Sequence, residues 1–285
     1  MENPQDFSYA DLRNAFETED ARKRAAADGN MVELRSLYDP CTPELPDMNS
    51  PKKWDFFSQR GFDIPDRATK ERVETVCSLL APGDSALDYG CGYGYIVEEI
   101  LARKLPVQYL GVDFSRGFVE RLKQMYSTSD RLNVAFEWQS QGGRLPPGPF
   151  SVVMLLEVLE HMRPSVVVTF LKQISTLLVA GGRVIVTVPL HEDLSSMTGP
   201  CSHCGAISNV NGHVRSYTPE LVRCEAALAG LKTDRTILVG QDRSRRHRLI
   251  RFVRAALHRP RGRPTNGVFV LSSVKDANTP LQVTK

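Results

Sequence analysis

At 285 residues, with 41% hydrophobic and 24% charged side chains, the chain has the balance of a globular protein able to bury a sizeable core. A formal net charge of +3 excludes a global basic field of the kind that drives nucleic-acid binding, and no run reaches the ~18 continuous apolar residues of a membrane-spanning helix. The polar, acidic start, Met1–Asp11, has no leader core, and the six cysteines are scattered apart from Cys201 and Cys204, so they read as reduced thiols and the protein as cytoplasmic.

Residues 8 to 38 carry Leu12, Phe16, Met31, Leu34, Leu37 and Tyr38 at helical spacing, which predicts one or two helices. A connector follows, with Pro40, Pro43, Pro46 and Pro51 and the aromatic cluster Trp54, Phe56 and Phe57, read as packing onto the main domain. From Asp66 helix and strand alternate. Val73, Val76, Leu79 and Leu80 mark a helix, Ala86–Tyr89 a short strand, Tyr95–Lys104 a helix and Val107–Val112 a second strand. Phe118–Tyr126 is the next helix and Val134–Trp138 the third strand. Phe150–Leu156 is nearly continuous in apolar residues, as a strand covered on both faces should be. A helix from Ser165 to Leu178, stopped by Gly181-Gly182, leads to a fifth strand, Val184–Val188. The tail adds a helix, Pro219–Ala229, and two late strands, Thr236–Val239 and Val268–Ser272. This order implies a doubly wound α/β domain with a mostly parallel sheet over 66–275, an N-terminal helical extension acting as a substrate cap over 1–65, and a tail at 276–285. Residues 191–217 form an insertion loop rich in Gly, Ser, Asn and Cys, and a loop that long is usually functional.

The first strand ends in Asp88-Tyr89-Gly90-Cys91-Gly92-Tyr93-Gly94 and then enters a helix. The three glycines permit a tight turn and the approach of a ligand to bare backbone. Their G-x-G-x-G spacing differs from the G-x-G-x-x-G dinucleotide fingerprint. The second strand ends in Val112-Asp113-Phe114, and a carboxylate there can accept hydrogen bonds from both hydroxyls of a ribose. Asp113 lies one helix and one strand beyond Gly94, the distance that puts both at the carboxyl end of a parallel sheet.

Leu87 through Gly94 resembles the first motif of the class I S-adenosylmethionine-dependent methyltransferases. Asp113 matches their ribose-binding acid, and Gly181 through Pro189 resembles their fifth strand. The resemblance spans about 66 to 275. It implies a Rossmann-like, seven-stranded sheet closing in an antiparallel hairpin, and an enzyme that moves a methyl group from S-adenosylmethionine. By the same resemblance Asp88, Gly90, Cys91, Gly92, Gly94, Asp113 and Phe114 meet the cofactor, Gln139 or Ser140 stands where an acid or amide usually meets the adenine, and Leu156 and Glu157 line the methionine side. The cofactor brings the reactivity and the protein the orientation, so no nucleophilic Ser or Cys is expected.

Glu157-Val158-Leu159-Glu160-His161 follows the fourth strand. It reads as a turn buttressed by His161, while small-RNA 2′-O-methyltransferases and ubiquinone-pathway O-methyltransferases hold a divalent cation with a similar E-x-x-E-H motif. That gives Glu157, Glu160 and His161 as a cation candidate. Cys201-Ser202-His203-Cys204-Gly205, followed by Gly212-His213-Val214-Arg215, resembles a C-x-x-C-G…G-H-x-R stretch of bacterial methyltransferases often encoded beside glycan or natural-product genes. The Cys pair is a zinc candidate that lacks a fourth ligand unless His203 or His191 supplies it. His161 and His213 are the candidate catalytic residues, His213 as a neutral base near pH 7. From Arg243 to Arg263, arginines alternate with Leu249, Ile250, Phe252, Val253 and Leu257 without an acid, which predicts an amphipathic basic helix over 241–264. It reads as a solvated face or as a surface for a phosphate-bearing substrate, an anionic membrane or RNA.

The leading expectation is O-methylation of a small molecule: a sugar, a nucleotide-linked intermediate or a secondary metabolite, with an anionic group suiting the arginines. The alternatives are a metal-dependent RNA 2′-O-methyltransferase, disfavoured because no aromatic-interleaved RNA platform is present, and a non-catalytic cofactor-binding scaffold.

Overall fold

The computed structural model describes residues 51–59, 65–126, 134–138, 144–194, 198–200, 207–209, 211–240 and 266–273. The predicted helices of 8–38, the Cys201/Cys204 pair with His203, Gln139 and Ser140, and the basic stretch 241–264 lie outside these residues.

The chain runs α1 (Pro51–Gln59), α2 (Arg67–Cys77), β1 (Ser85–Tyr89), α3 (Tyr95–Arg103), β2 (Gln108–Asp113), α4 (Arg116–Tyr126), β3 (Val134–Trp138), β4 (Phe150–Leu156), a 3-10 turn (Leu159–His161), α5 (Pro164–Ser175), β5 (Leu178–Pro189), a small hairpin β6 (Thr198–Pro200) and β7 (Ile207–Asn209), α6 (Pro219–Leu228), β8 (Leu231–Val239) and β9 (Asn266–Ser273). One sheet holds seven strands in the order β3-β2-β1-β4-β5-β9-β8. The first five are parallel, and β9 runs antiparallel between β5 and β8. The predicted doubly wound sheet with a closing antiparallel hairpin is what forms.

The period-2 pattern decides which residues face which layer. In β4, Val153 and Leu155 join the core beneath α5 and α6, while Val152 and Met154 join the core beneath α2, α3 and α4. Strand β5 repeats this, with Val184, Val186 and Val188 on one face and Ile185 on the other. Caps set the helix starts. The Asp66 carboxylate accepts from the Thr69 N–H at 2.7 Å to open α2, and Thr218 accepts from Leu221 N at 3.2 Å before Pro219 at the first turn of α6.

The predicted boundaries move most at two places. Gly181-Gly182 is not the helix stop that the sequence predicts: α5 ends at Ser175 and β5 already begins at Leu178. Pairing with β4 jumps from Phe150↔Leu178 to Val152↔Arg183, so the glycines make a bulge inside the strand, with Gly181 at φ +73°. The eighth strand starts at Leu231 instead of Thr236, because β9 supplies a partner along its whole length.

Candidate active site

Strand order reverses between β1 and β4, and the loops after β1, β2 and β4 meet above their carboxyl ends. The glycine loop turns tightly there. Gly90, Gly92 and Gly94 all have positive φ. A Cβ on Gly94 would stand 2.5 Å from Leu122 Cδ2, and one on Gly90 would stand 2.9 Å from Val158 Cγ2. Only glycine fits both the backbone angle and the space. Gly90 N and Cys91 N donate to Val112 O, which ties the loop to the end of β2.

Asp113 closes the loop from the other side. Its Oδ2 accepts from Gly92 N at 2.9 Å and its Oδ1 from Ser115 N at 2.8 Å. Burial raises its pKa to about 6 against the lowering effect of those N–H donors. Asp88 lies deeper, with one oxygen accepting the Tyr109 hydroxyl at 2.6 Å and the other without a hydrogen-bond partner among the described residues. Burial, with the charge of Asp113 adding, pushes it up to about 7. Cys91 is buried in the loop and its thiol is held well above the usual range by burial. Burial likewise pushes Cys77 to about 11 and Cys224 to about 12, so none of these three is a thiolate nucleophile at neutral pH.

Beyond β4 the structure separates what the E-x-x-E-H motif suggested. Glu157, at φ +56°, turns its carboxylate toward the sheet. One oxygen accepts the Thr187 hydroxyl at 2.8 Å; the other accepts Arg72 Nη1 at 3.1 Å and Asn266 Nδ2 at 3.0 Å. Its carboxylate is engaged by these three donors, and the candidate set of Glu157, Glu160 and His161 does not assemble. The group that does is Glu160, His161 and His213, with ligand-type atoms all within 4.8 Å of one another.

Glu160 is fully buried, and both carboxylate oxygens lack a partner among the described residues. Burial holds its pKa well above the ordinary carboxylate range, and the nearby Glu157 adds to this. His161 Nδ1 lies 3.1 Å from Gly212 O; a carbonyl only accepts, so Nδ1 carries the hydrogen and Nε2 the lone pair. Burial, then the neighbouring His213, lowers its pKa to about 3, which keeps the ring neutral. His213 directs Nδ1 at Glu192 Oε2, 2.7 Å away, and its ring centroid is 4.9 Å from that of His161. Val214 N donates to Glu160 O at 2.9 Å, fastening the 211–217 segment to the turn.

Helix α1 covers one side. The Trp54 ring meets His161 edge-on at 4.9 Å and Phe114 at 6.5 Å, and its indole N–H is buried without a partner among the described residues. Leu156 packs against the core beneath α2 to α4. Sequence reading placed Trp54 only as packing and missed Arg72, Thr187, Glu192 and Asn266 altogether. Arg72 and Asn266 reach Glu157 from 85 and 109 residues away, and no local pattern carries that signal.

A family model described as a methyltransferase domain matches residues 60–235. No curated protein matches the chain in sequence. Among solved structures it is similar to 1,6-didemethyltoxoflavin-N1-methyltransferase of Burkholderia thailandensis, a complex with 1,6-didemethyltoxoflavin and S-adenosylhomocysteine, at 18% identity and TM-score 0.52 over 78% of this chain and 86% of that one. It is also similar to magnesium protoporphyrin IX methyltransferase of Synechocystis PCC 6803 with bound S-adenosylhomocysteine, at 15% identity and TM-score 0.53 over 79% and 95%. A third, an S-adenosylmethionine-dependent methyltransferase of Aquifex aeolicus, stands at 15% identity and TM-score 0.52 over 78% and 98%. At these identities the likeness is one of fold.

Proposed function

The chain belongs to the methyltransferase-domain family, and we propose that it transfers the methyl group of S-adenosylmethionine to an oxygen of a small molecule. The observation that carries the cofactor is the cradle of Gly90, Gly92 and Gly94 closed by Asp113, where bare backbone and a carboxylate meet at the strand-order reversal. When bound, S-adenosylmethionine supplies an electrophilic methyl group on a sulfonium. Asp113 would accept from the ribose hydroxyls, Phe114 and Leu156 would offer apolar walls, and Asp88 would set the floor of the loop through Tyr109. The acceptor hydroxyl would lie toward His213, which has the geometry of a general base: Nδ1 is braced by Glu192, leaving Nε2 for the proton. His161 suits that role less, because a ring held at about pKa 3 is a weak base at neutral pH. A small acceptor fits the likeness of the C-x-x-C-G…G-H-x-R stretch to bacterial methyltransferases of glycan and natural-product clusters.

Titration of the protein with S-adenosylhomocysteine in a calorimeter tests the reading, since a chain that takes up neither this product nor the cofactor is not a methyltransferase of this kind. The pH dependence is a sharper check. Ribose hydroxyls donate to the ionised Asp113, so binding favours the ionised form and lowers its pKa from about 6. Affinity should be level above pH 7 and fall below pH 6, approaching about one decade per pH unit. A flat profile from pH 8 to 5 would exclude Asp113 as the ribose acid.

A second reading is favoured by one observation, the orphaned carboxylate of Glu160. A divalent cation held by Glu160, His161 Nε2 and His213 Nε2 would neutralise a buried acid that otherwise has to stay protonated, and both imidazoles already place Nδ1 on an oxygen, as metal-binding histidines commonly do. Two imidazoles and one carboxylate suit a transition ion such as zinc, manganese or iron(II) better than magnesium. Dialysis against zinc, manganese or magnesium followed by elemental analysis should find near-stoichiometric zinc or manganese, and Glu160→Gln should lose it. Less than about 0.2 ions per chain in the wild type, a value far from the 1:1 occupancy of a closed site, would remove the cation. Transfer of labelled methyl to RNA instead of small molecules would favour the metal-dependent RNA alternative, and cofactor uptake without transfer to any cell-extract fraction the scaffold alternative.

A further inference from the structure

We propose that α1 is a clamp on the nucleoside side of the site, with Asp55 and Trp54 as positioning residues for the loop that carries Asp113 and Phe114. The inference rests on the reading that this loop and the glycine turn take S-adenosylmethionine.

The first N–H groups of a helix have no partner within it and need an acceptor from elsewhere. At α4 part of that role falls to Asp55, 60 residues earlier in the chain. Asp55 Oδ1 accepts from the Ser115 hydroxyl at 2.6 Å and from Gly117 N at 3.2 Å. Ser115 is the residue whose backbone N–H holds Asp113 Oδ1. The carboxylate of α1 is thus one residue removed from the ribose acid. Three further contacts fix the helix: Arg121 donates to Ser58 O at 2.9 Å, the Tyr93 hydroxyl of the glycine loop donates to Phe57 O at 3.3 Å, and Ser58 is buried against α4. Trp54, held in this way, makes T-shaped ring contacts with both Phe114 and His161, joining the nucleoside side to the side where the acceptor is read.

The seat depends on one close approach. A Cβ on Gly117 would stand 2.0 Å from Ser58 Oγ and 3.0 Å from Ser58 Cβ. Gly117 lies within α4, where alanine is intrinsically preferred to glycine, so Gly117→Ala favours α4 while pushing α1 away. Helix α1 has no share in the sheet, and its loss leaves both cores intact.

The experiment compares S-adenosylhomocysteine affinity, by calorimetry, of the wild type, Gly117→Ala, Ser58→Gly and the double variant Gly117→Ala/Ser58→Gly. Each is read in a Trp138→Phe background, where Trp54 is the sole tryptophan. Gly117→Ala should weaken binding about tenfold, the size of a lost helix cap, and shift Trp54 emission to the red. The double variant, with space for the new methyl, should recover affinity and emission together. Asp55→Ala should reproduce the weakening without a clash. Wild-type binding with an unchanged Gly117→Ala removes the clamp alone, as does a weakened Gly117→Ala that Ser58→Gly fails to rescue. A wild type that does not bind removes the cofactor reading and the clamp with it.

Discussion

Asp113→Ala should bring the affinity for S-adenosylhomocysteine down by about a thousandfold, or about 4 kcal/mol. Two losses combine. The ribose loses an anionic acceptor for its hydroxyls, and hydrogen bonds to a charged partner contribute about 1.5–3 kcal/mol each. Gly92 N and Ser115 N lose their acceptor as well, so the turn that shapes the cradle is no longer held. Asp113→Asn separates the two: the amide keeps the volume, but its NH2 must face one of those backbone donors, so it should bind weakly while folding normally. Calorimetry on protein with an unchanged circular dichroism spectrum makes the measurement. Affinity of Asp113→Ala within threefold of the wild type would end the assignment.

Glu225→Gln should lower thermal stability by about 3–5 kcal/mol, or about 10 °C in Tm. Arg215 and Glu225 form a buried ion pair with side-chain exposures of 7% and 1%. The second oxygen of Glu225 accepts the Tyr217 hydroxyl at 3.1 Å, and the guanidinium lies over the Tyr217 ring at 4.6 Å. Removing one charge leaves the other buried without its counter-charge, which costs more than the pair itself contributes. The double replacement Arg215→Met/Glu225→Leu should therefore recover much of the loss in a differential scanning experiment. If it melts as low as the single variant, the ion pair is not what holds this segment. The consequence reaches the site, because Arg215 anchors the stretch that carries His213 and, through Val214 N, the backbone of Glu160.

Arg215 shows where sequence reading stops. In the sequence it is the last letter of a G-H-x-R stretch, near a candidate catalytic histidine, yet its side chain turns inward to α6 and its structural role is to pin a loop. The same holds for Glu157. Its place in an E-x-x-E-H turn suggests a ligand beside Glu160 and His161, but residues at i, i+3 and i+4 face together only on a helix. Here the chain passes from strand through a left-handed residue at Glu157 into a short 3-10 turn, which gives Glu157 the partners Thr187, Arg72 and Asn266 and leaves Glu160 beside the two histidines. Gly181-Gly182 misled for a related reason: glycine ends a helix or bulges a strand with equal ease, and the choice fell to the pairing offered by β4.

The amino-acid order alone determined the alternation of helix and strand, the two-sided burial of β4, the glycine turn and the acid one crossover later. These features depend on hydrophobic period and backbone angle, which act over a few residues and leave a local pattern. Only the tertiary structure decided that Glu160, His161 and His213 meet, that Glu157 is withdrawn by Arg72 and Asn266, and that Asp55 caps a helix 60 residues onward. Those contacts are set by how strand order and helix packing bring distant loops to one edge of the sheet, and the free energy of such a meeting is not written in any short window of the chain.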